Sequence, residues 1–230
     1  MDLSGKVLVV TGSDGVLGQA AALTLSGYGA RLALLEHTEK PSATPPAGAL
    51  RFGGVDLTLE EAARSVMERI VKETGRIDGL INVAGGFRWE KLAGGTLDTW
   101  DSMFKINLRT AVVSCWAALP YLKQRGGGRI VNVGAMGAIK ATAGMGAYAA
   151  SKAGVAQLTE ALADELKDLG ITVNAILPST LDTPKNRLEM PKADFTRWVR
   201  PVEAAEVIAF LVSDEARAVT GALIPVAGRV

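Results

Sequence analysis

Cysteine and histidine are nearly absent from this 230-residue chain, which has one of each, Cys115 and His37. A lone cysteine closes no internal disulfide, and the two residues together make no metal-binding cluster, so no metal is expected. A Ser-His-Asp hydrolase would have to use His37 as its base, which counts against that chemistry. Charge of one sign is lacking too: 25 Lys and Arg meet 24 Asp and Glu, for a net charge of +1. Such a chain has no basic field to hold a phosphate backbone, which argues against a nucleic-acid partner. There is no run of about 18 apolar residues, and Met1–Lys6 shows no basic-then-apolar leader pattern. The expectation is a protein without membrane association, in a reducing compartment, most simply the cytoplasm. What the chain does have is apolar material, 48% of its residues, enough for a packed core.

Short apolar runs alternate with longer helical patterns, the signature of a parallel sheet covered by helices. Strands are expected at Lys6–Val10, Arg31–Leu35, Leu50–Val55, Leu80–Val83, Arg129–Val133, Ile171–Ile176 and Ala222–Val226. Leu17, Ala21 and Leu25 share one face of a first helix, and Ala62, Val66 and Ile70 one face of a second. A longer helical stretch from Leu97 to Leu122 is expected to break near Asn107. Helices at Ala147–Lys167 and Val202–Leu211 complete the pattern. Thr38–Ala49, with three prolines, reads as a surface loop, and Leu177–Pro201, with four, as a lid over a site. The fold class expected is α/β: one domain over 1–230, Rossmann-like, doubly wound, with about seven parallel strands and helices on both faces.

Thr11-Gly12-Ser13-Asp14-Gly15-Val16-Leu17-Gly18 lies between the first strand and the first helix. A glycine-rich turn there lets main-chain N–H groups approach a pyrophosphate at a helix N-terminus. Its Gly-x-x-Gly-x-x-Gly spacing is a weak signal alone, but Glu36 follows 18 residues after Gly18, at the end of the second strand. A carboxylate there accepts hydrogen bonds from adenosine ribose hydroxyls. Glu36, with Asp14 near it and no lysine or arginine adjacent, should repel a 2′-phosphate, so NAD(H) is expected over NADP(H). Asp14 reads equally well as a helix N-cap facing water.

Tyr148 and Lys152, four apart at the start of a patterned helix, project from one face. An ammonium beside a phenol stabilises the phenolate and should lower the tyrosine pKa. Such a pair exchanges a proton with a carbonyl or alcohol oxygen while hydride moves elsewhere.

Taken together, Thr11–Gly18, Asp56, Asn82-Val83-Ala84-Gly85, Asn107, Tyr148-x-x-Ser151-Lys152 and Asn174-Ala175-Ile176-Leu177-Pro178 resemble the short-chain dehydrogenase/reductase family over nearly the whole chain. That resemblance implies a nicotinamide-dependent oxidoreductase acting on a small molecule. It implies Tyr148 as acid/base, Lys152 as ribose holder, and Asn107 as the residue ordering a relay water. The cofactor site it implies comprises Gly12, Asp14, Gly15, Leu17, Gly18, Glu36, Asp56, Leu57, Asn82, Ala84, Gly85, Tyr148, Lys152, Pro178, Thr180 and Leu181. It also implies a homodimer or homotetramer, pairing through helices around Asn107–Leu122 and Ala147–Lys167.

Three departures stand out. Val16 replaces the second glycine of the family turn, and Ser179 replaces the usual glycine after Pro178. The serine expected 13 residues before the tyrosine is Ala135. Thr142 is a candidate replacement for its hydroxyl. In lacking that serine the chain is regionally similar to quinonoid dihydropteridine reductases, as it is in Val83–Phe87, Gly144-Met145 and Leu177–Arg187. The likeness suggests a conjugated, quinonoid or imine-like acceptor, with Phe87, Trp89, Met145 or Trp198 as platforms beside Ala135. Alternatives are a conventional alcohol dehydrogenase, a 3-oxoacyl-carrier reductase, or a nucleotide-binding sensor with little turnover.

Overall fold

The computed structural model describes residues 1–40 and 42–230. Seven strands form one parallel sheet: β1 (Val7–Thr11), β2 (Arg31–Leu35), β3 (Leu50–Phe52), β4 (Gly79–Asn82), β5 (Gly128–Val133), β6 (Ile171–Pro178) and β7 (Leu223–Val226). Their spatial order is β3-β2-β1-β4-β5-β6-β7. The order reverses at β1, which pairs β2 on one side and β4 on the other, with Thr11 opposite both Leu35 and Asn82. A doubly wound sheet leaves its crevice beyond the carboxyl ends of the strands at such a reversal.

The strands are largely apolar because helices cover both faces. Successive residues of β1 serve opposite cores: Val7 and Val9 pack with α2 (Glu60–Thr74), α4 (Thr110–Arg125) and α5 (Gly146–Leu166). Leu8 and Val10 pack with α1 (Val16–Gly27) and α7 (Pro201–Val212). Helix ends follow local chemistry. Gly75 and Gly126 end α2 and α4 in the left-handed region, and Glu60 and Glu61 stand in the first turn of α2, where the dipole favours them. The expected break near Asn107 is a π-helical turn, Phe104–Arg109, between α3 (Leu97–Met103) and α4.

The end of the sheet away from the crevice is closed by Asp78, only 4% exposed. Its carboxylate accepts from the Val7 amide at 2.8 Å and from Arg76 at 2.6 Å, and pairs with Arg125. The 177–201 segment has structure of its own. Ser179 is tied to β7 through the Val226 and Ala227 carbonyls, and Leu181 bridges Val199 in parallel. α6 (Pro184–Glu189) starts on a Thr183 cap, while Arg187 grips Asp182 at 2.6 and 2.8 Å and stacks over Phe195.

Candidate active site

At the crevice, the main chain of β1 turns sharply into α1. Gly12 has φ +63, and a Cβ there would lie 2.7 Å from the Ala84 Cα. A Cβ on Gly18 would collide with the Gly12 carbonyl oxygen, so the first turn of α1 sits directly on the glycine turn. Gly15 is the N-cap and no side chain caps α1, leaving its first N–H groups free toward the cleft. The Thr11 hydroxyl accepts from the amides of Val83 and Ala84 at 3.1 Å each, joining the ends of β1 and β4.

Two cavities share Gly12, Glu36, Ala84 and Gly85. One, of about 480 Å³, is walled by the glycine turn, Phe87, Ala135, Tyr148, Lys152 and Pro178. The other, of about 380 Å³, is walled by Glu36, His37, Asp56, Leu57 and Lys105. Asp56 accepts from the Thr58 hydroxyl and amide, which hold its carboxyl below its ordinary range, with His37 and Lys105 adding to the effect.

Tyr148 and Lys152 both face the first cavity. The Lys152 ammonium donates to the Val133 carbonyl at 2.8 Å, and burial pulls its pKa down to about 8. Burial also pushes the Tyr148 phenol up to about 12. This corrects the expectation of a lowered phenol: burial of the ring sets the shift, so Tyr148 keeps its proton at neutral pH. Phe87 packs edge-on against its ring at 5.0 Å. Asn107 sits in the π turn. Its amide nitrogen donates to the Gly86 carbonyl at 3.1 Å and the Ser151 hydroxyl at 3.0 Å, and its oxygen accepts from the Gly86 amide at 2.9 Å. Its side chain therefore clamps the segment that follows β4; Ser151 and Gly86, both missed as its partners, lie 44 and 21 residues away.

Gly12, Gly15, Leu17, Gly18, Ala84, Gly85, Pro178 and Leu181 line the first cavity, together with Lys185, a lid cation that by sequence suits either an acidic substrate group or a solvated loop. Several residues are elsewhere. Asn82 is buried, its amide nitrogen donating to Asn132 and to the Cys115 sulfur, so it knits the core and offers nothing to the cleft. The Cys115 thiol is correspondingly buried, and desolvation raises it to about 12. Thr180 gives its carbonyl to Val199 and is outside the cavity wall. Trp198 is 7% exposed and packs on Phe195, which removes it as a platform. The Thr142 hydroxyl contacts the Met145 sulfur at 3.0 Å, and neither residue lines the cavity. Met145 lies against Gly137 instead. Trp89 donates to the Ala143 carbonyl at 3.0 Å and covers Gly144.

Asp14 is not the N-cap of α1: its carboxylate accepts from the Ser42 amide and hydroxyl and from the Ala43 amide. Those bonds, Ser42 first, hold it below the usual carboxylate range, and Arg51 on β3 adds to the effect. A cation thus stands nearer than the sequence order suggested. The Asp14 amide donates to Glu36, fixing the second carboxylate at the mouth of the turn.

Ala135 follows β5 in extended conformation, is 6% exposed, and lines the same cavity as Tyr148 and Lys152. Of the other hydroxyls of that wall, Ser179 donates to Ala227 at 2.6 Å, while Thr183 accepts from the Asn186 amide as the cap of α6.

This geometry fits a nicotinamide dinucleotide. Main-chain donors at an uncapped helix N-terminus suit a pyrophosphate, Glu36 suits a ribose, and the joined cavities suit an extended ligand. The chain also resembles known proteins along its length. It is 34% identical to a 3-oxoacyl-acyl-carrier-protein reductase of Thermotoga maritima, over 99% of this chain and 98% of that one. It is 30% identical to a 7alpha-hydroxysteroid dehydrogenase of Clostridium sardiniense, over 98% and 93%. A crystal structure of NAD+-bound xylitol dehydrogenase superposes with a TM-score of 0.90 at 28% identity, covering 99% of this chain and all of that one. The family model for short chain dehydrogenases matches residues 6–193, and with the sheet, the glycine turn and the Tyr148–Lys152 pair already in place, the chain belongs to the short-chain dehydrogenase/reductase family of NAD(P)-dependent oxidoreductases.

Proposed function

We propose that this enzyme is an NADH-preferring reductase of a planar quinonoid or imine-like acceptor, of the kind a quinonoid dihydropterin represents. The observation that carries the reading is Ala135, a methyl in the cavity wall that also holds Tyr148, where a second hydrogen-bond donor would serve the reacting atom. A ketone concentrates negative charge on one oxygen as it is reduced and needs donors there. A conjugated acceptor spreads that charge and depends less on them.

When bound, the dihydronicotinamide supplies a hydride, two electrons with one proton. Tyr148, protonated at neutral pH, supplies the second proton to the acceptor's oxygen or nitrogen and is itself reprotonated from solvent. Lys152, anchored on Val133, holds the ribose side of the site, and Asn107 fixes the Gly86 wall. Phe87, 42% exposed, offers the platform for a planar ring. The 177–201 segment acts as the lid, with Pro178, Leu181 and Lys185 facing the cleft.

Glu36 supports the preference for NADH. Two like charges about 4 Å apart repel by about 4 kcal/mol at an effective dielectric of about 20. A third of that, left after solvent screening, is about tenfold in affinity. Two further parts of the reading concern context. Exposed Val112 and Trp116 on α4 support pairing of this helix in a homodimer or homotetramer. Among the described residues no helix is long and apolar enough to cross a membrane, which accords with a cytoplasmic enzyme.

The names of the relatives favour a second reading, reduction of a 3-oxoacyl or steroid ketone. NADH and NADPH oxidation measured in parallel separates the two. The panel is a quinonoid dihydropterin, a simple quinone, an aromatic ketone and a 3-oxoacyl thioester. Faster turnover of the pterin or quinone with NADH is expected. Preferential turnover of the ketone or thioester would replace the proposal with the second reading.

A further inference from the structure

The carboxylate of Asp14 has an unusual setting for a residue in an exposed turn. Two consecutive main-chain amides, of Ser42 at 3.0 Å and Ala43 at 2.5 Å, and the Ser42 hydroxyl at 3.0 Å converge on its two oxygens. Beside these contacts, Asp14, Arg51, Ser13, Gln19 and Ala43 line a small cavity of about 30 Å³. Adjacent amides and a hydroxyl, with a guanidinium in the wall of the adjoining cavity, make a setting that suits a phosphate oxyanion. Here the occupant comes from the chain itself. Asp14 is fixed in place from two further directions: its amide donates to Glu36, and its carbonyl accepts from the Gln19 side chain at 2.6 Å. The filled pocket therefore adjoins the carboxylate that faces the adenosine ribose.

We propose that Asp14 is the resident anion of a pocket formed by Ser42, Ala43 and Arg51, and that it sets cofactor selectivity by occupying that pocket as well as by its charge. The proposal rests on the dinucleotide reading of the cleft and deepens it. With the carboxylate in place, a 2′-phosphate finds its donors taken and meets two negative groups, Asp14 and Glu36. Without it, two amides, a hydroxyl and Arg51 become available to the phosphate, and one of the two repulsions is gone. Discrimination against NADPH is thus divided between Glu36, which repels, and Asp14, which repels and also blocks.

The test is binding by the full-length protein, followed by quenching of its own fluorescence for NADH and NADPH. Calorimetry with 2′,5′-ADP and 5′-ADP isolates the 2′-phosphate. Asp14→Ala is expected to bind NADPH and 2′,5′-ADP at least about tenfold more tightly than the parent, equivalent to 1.4 kcal/mol, with NADH changed by less than about threefold. Asp14→Asn keeps the shape and one acceptor while removing the charge, so its gain should be smaller than that of Asp14→Ala. Adding Arg51→Gln to Asp14→Ala should abolish most of the gain.

Parallel losses of NADH and NADPH affinity in Asp14→Ala would mean that the carboxylate only ties down residues 42–43, and would overturn the proposal. So would a gain in Asp14→Asn equal to that in Asp14→Ala, or a gain that survives Arg51→Gln. A parent protein that binds NADPH better than NADH would instead overturn the NADH preference itself. A parent that binds NADH normally beside an unchanged variant would sink the pocket proposal alone.

Discussion

Replacing Ala135 with serine tests the chemistry at its most specific point. The residue follows β5 with φ −163 and ψ 150, is 6% exposed, and shares the cavity wall with Tyr148 and Lys152. The new hydroxyl would extend from the Cβ into the site without a change of backbone. Two energies then compete. If the hydroxyl donates to a reacting oxygen, it adds the kind of donor whose removal elsewhere costs about 10²–10³ in rate. Installed in a wall built around a methyl, it should return only part of that, about tenfold in kcat/KM for a ketone, or 1.4 kcal/mol. If it finds no partner in the free protein, burial of an unsatisfied hydroxyl costs about 1–3 kcal/mol. A chain of this size would then lose about 2–4 °C in Tm for each kcal/mol. The assay is steady-state NADH oxidation with an aromatic ketone and a quinonoid acceptor side by side, with thermal unfolding of both proteins. The ketone rate should rise while the quinonoid rate stays within about twofold, because charge delocalised over a conjugated system gains little from one donor. Equal acceleration of both acceptors, or none of either in a protein of unchanged Tm, would refute the assignment of Ala135 to the reacting atom.

Tyr148→Phe should lower turnover by at least about 10²-fold, the usual worth of a positioned proton donor, and leave NADH binding within about threefold by fluorescence titration. Full activity in that variant would remove Tyr148 from the mechanism. Burial holds Lys152 at about 8, well below its ordinary 10.5, so between those values the folded chain has released a proton that the unfolded chain retains. Stability of the cofactor-free protein should therefore rise from pH 8 toward pH 10, by at most about 3 kcal/mol, before Tyr148 opposes it above pH 10. Denaturant unfolding of Lys152→Met across that window should show no such rise, and a rise in both proteins would assign it elsewhere. Asp78→Ala strands the buried Val7 amide, while Arg76 and Arg125, both partly exposed, can rehydrate. The expected loss is about 2 kcal/mol in urea unfolding with cofactor affinity unchanged, since the site lies at the opposite end of the sheet.

Sequence patterns reached the parts of the site that depend on local geometry. A strand, a glycine turn and a helix adjoin along the chain, so Gly12, Gly18 and Glu36 could be placed from spacing, as could Tyr148 and Lys152 from one helical face. The expected break at Asn107 is visible as a π turn for the same reason. Most strand ends moved by a residue or more, furthest at β3, which stops at Phe52 rather than Val55, while β6 continues through Leu177 and Pro178 because β7 pairs with them. Hidden features were those made by contacts distant in sequence. Nothing near Asp14 announces Ser42 and Ala43, 28 and 29 residues on, or Arg51 beside it. Trp198 looked like a lid aromatic, but the bridge between Leu181 and Val199 folds that strand of the lid inward and buries it. The Tyr148 shift went the opposite way because a pairwise argument about charge carries no measure of desolvation.

The contrast between the glycine turn and its neighbours bears on how this protein can change. The part that would seat the phosphates is main chain, held by the packing of Gly18 on Gly12 and of Gly12 on Ala84, where almost any side chain is excluded. The groups that the proposal sets beside the ribose, Glu36, Asp14, Ser42 and Arg51, are side chains at positions with no such steric demand. Substitution can therefore rewrite which nucleotide is accepted while the scaffold that accepts nucleotides is left intact. A lineage carrying this turn could drift between the two nicotinamide pools of a cell through single-residue steps, each passing through a folded protein.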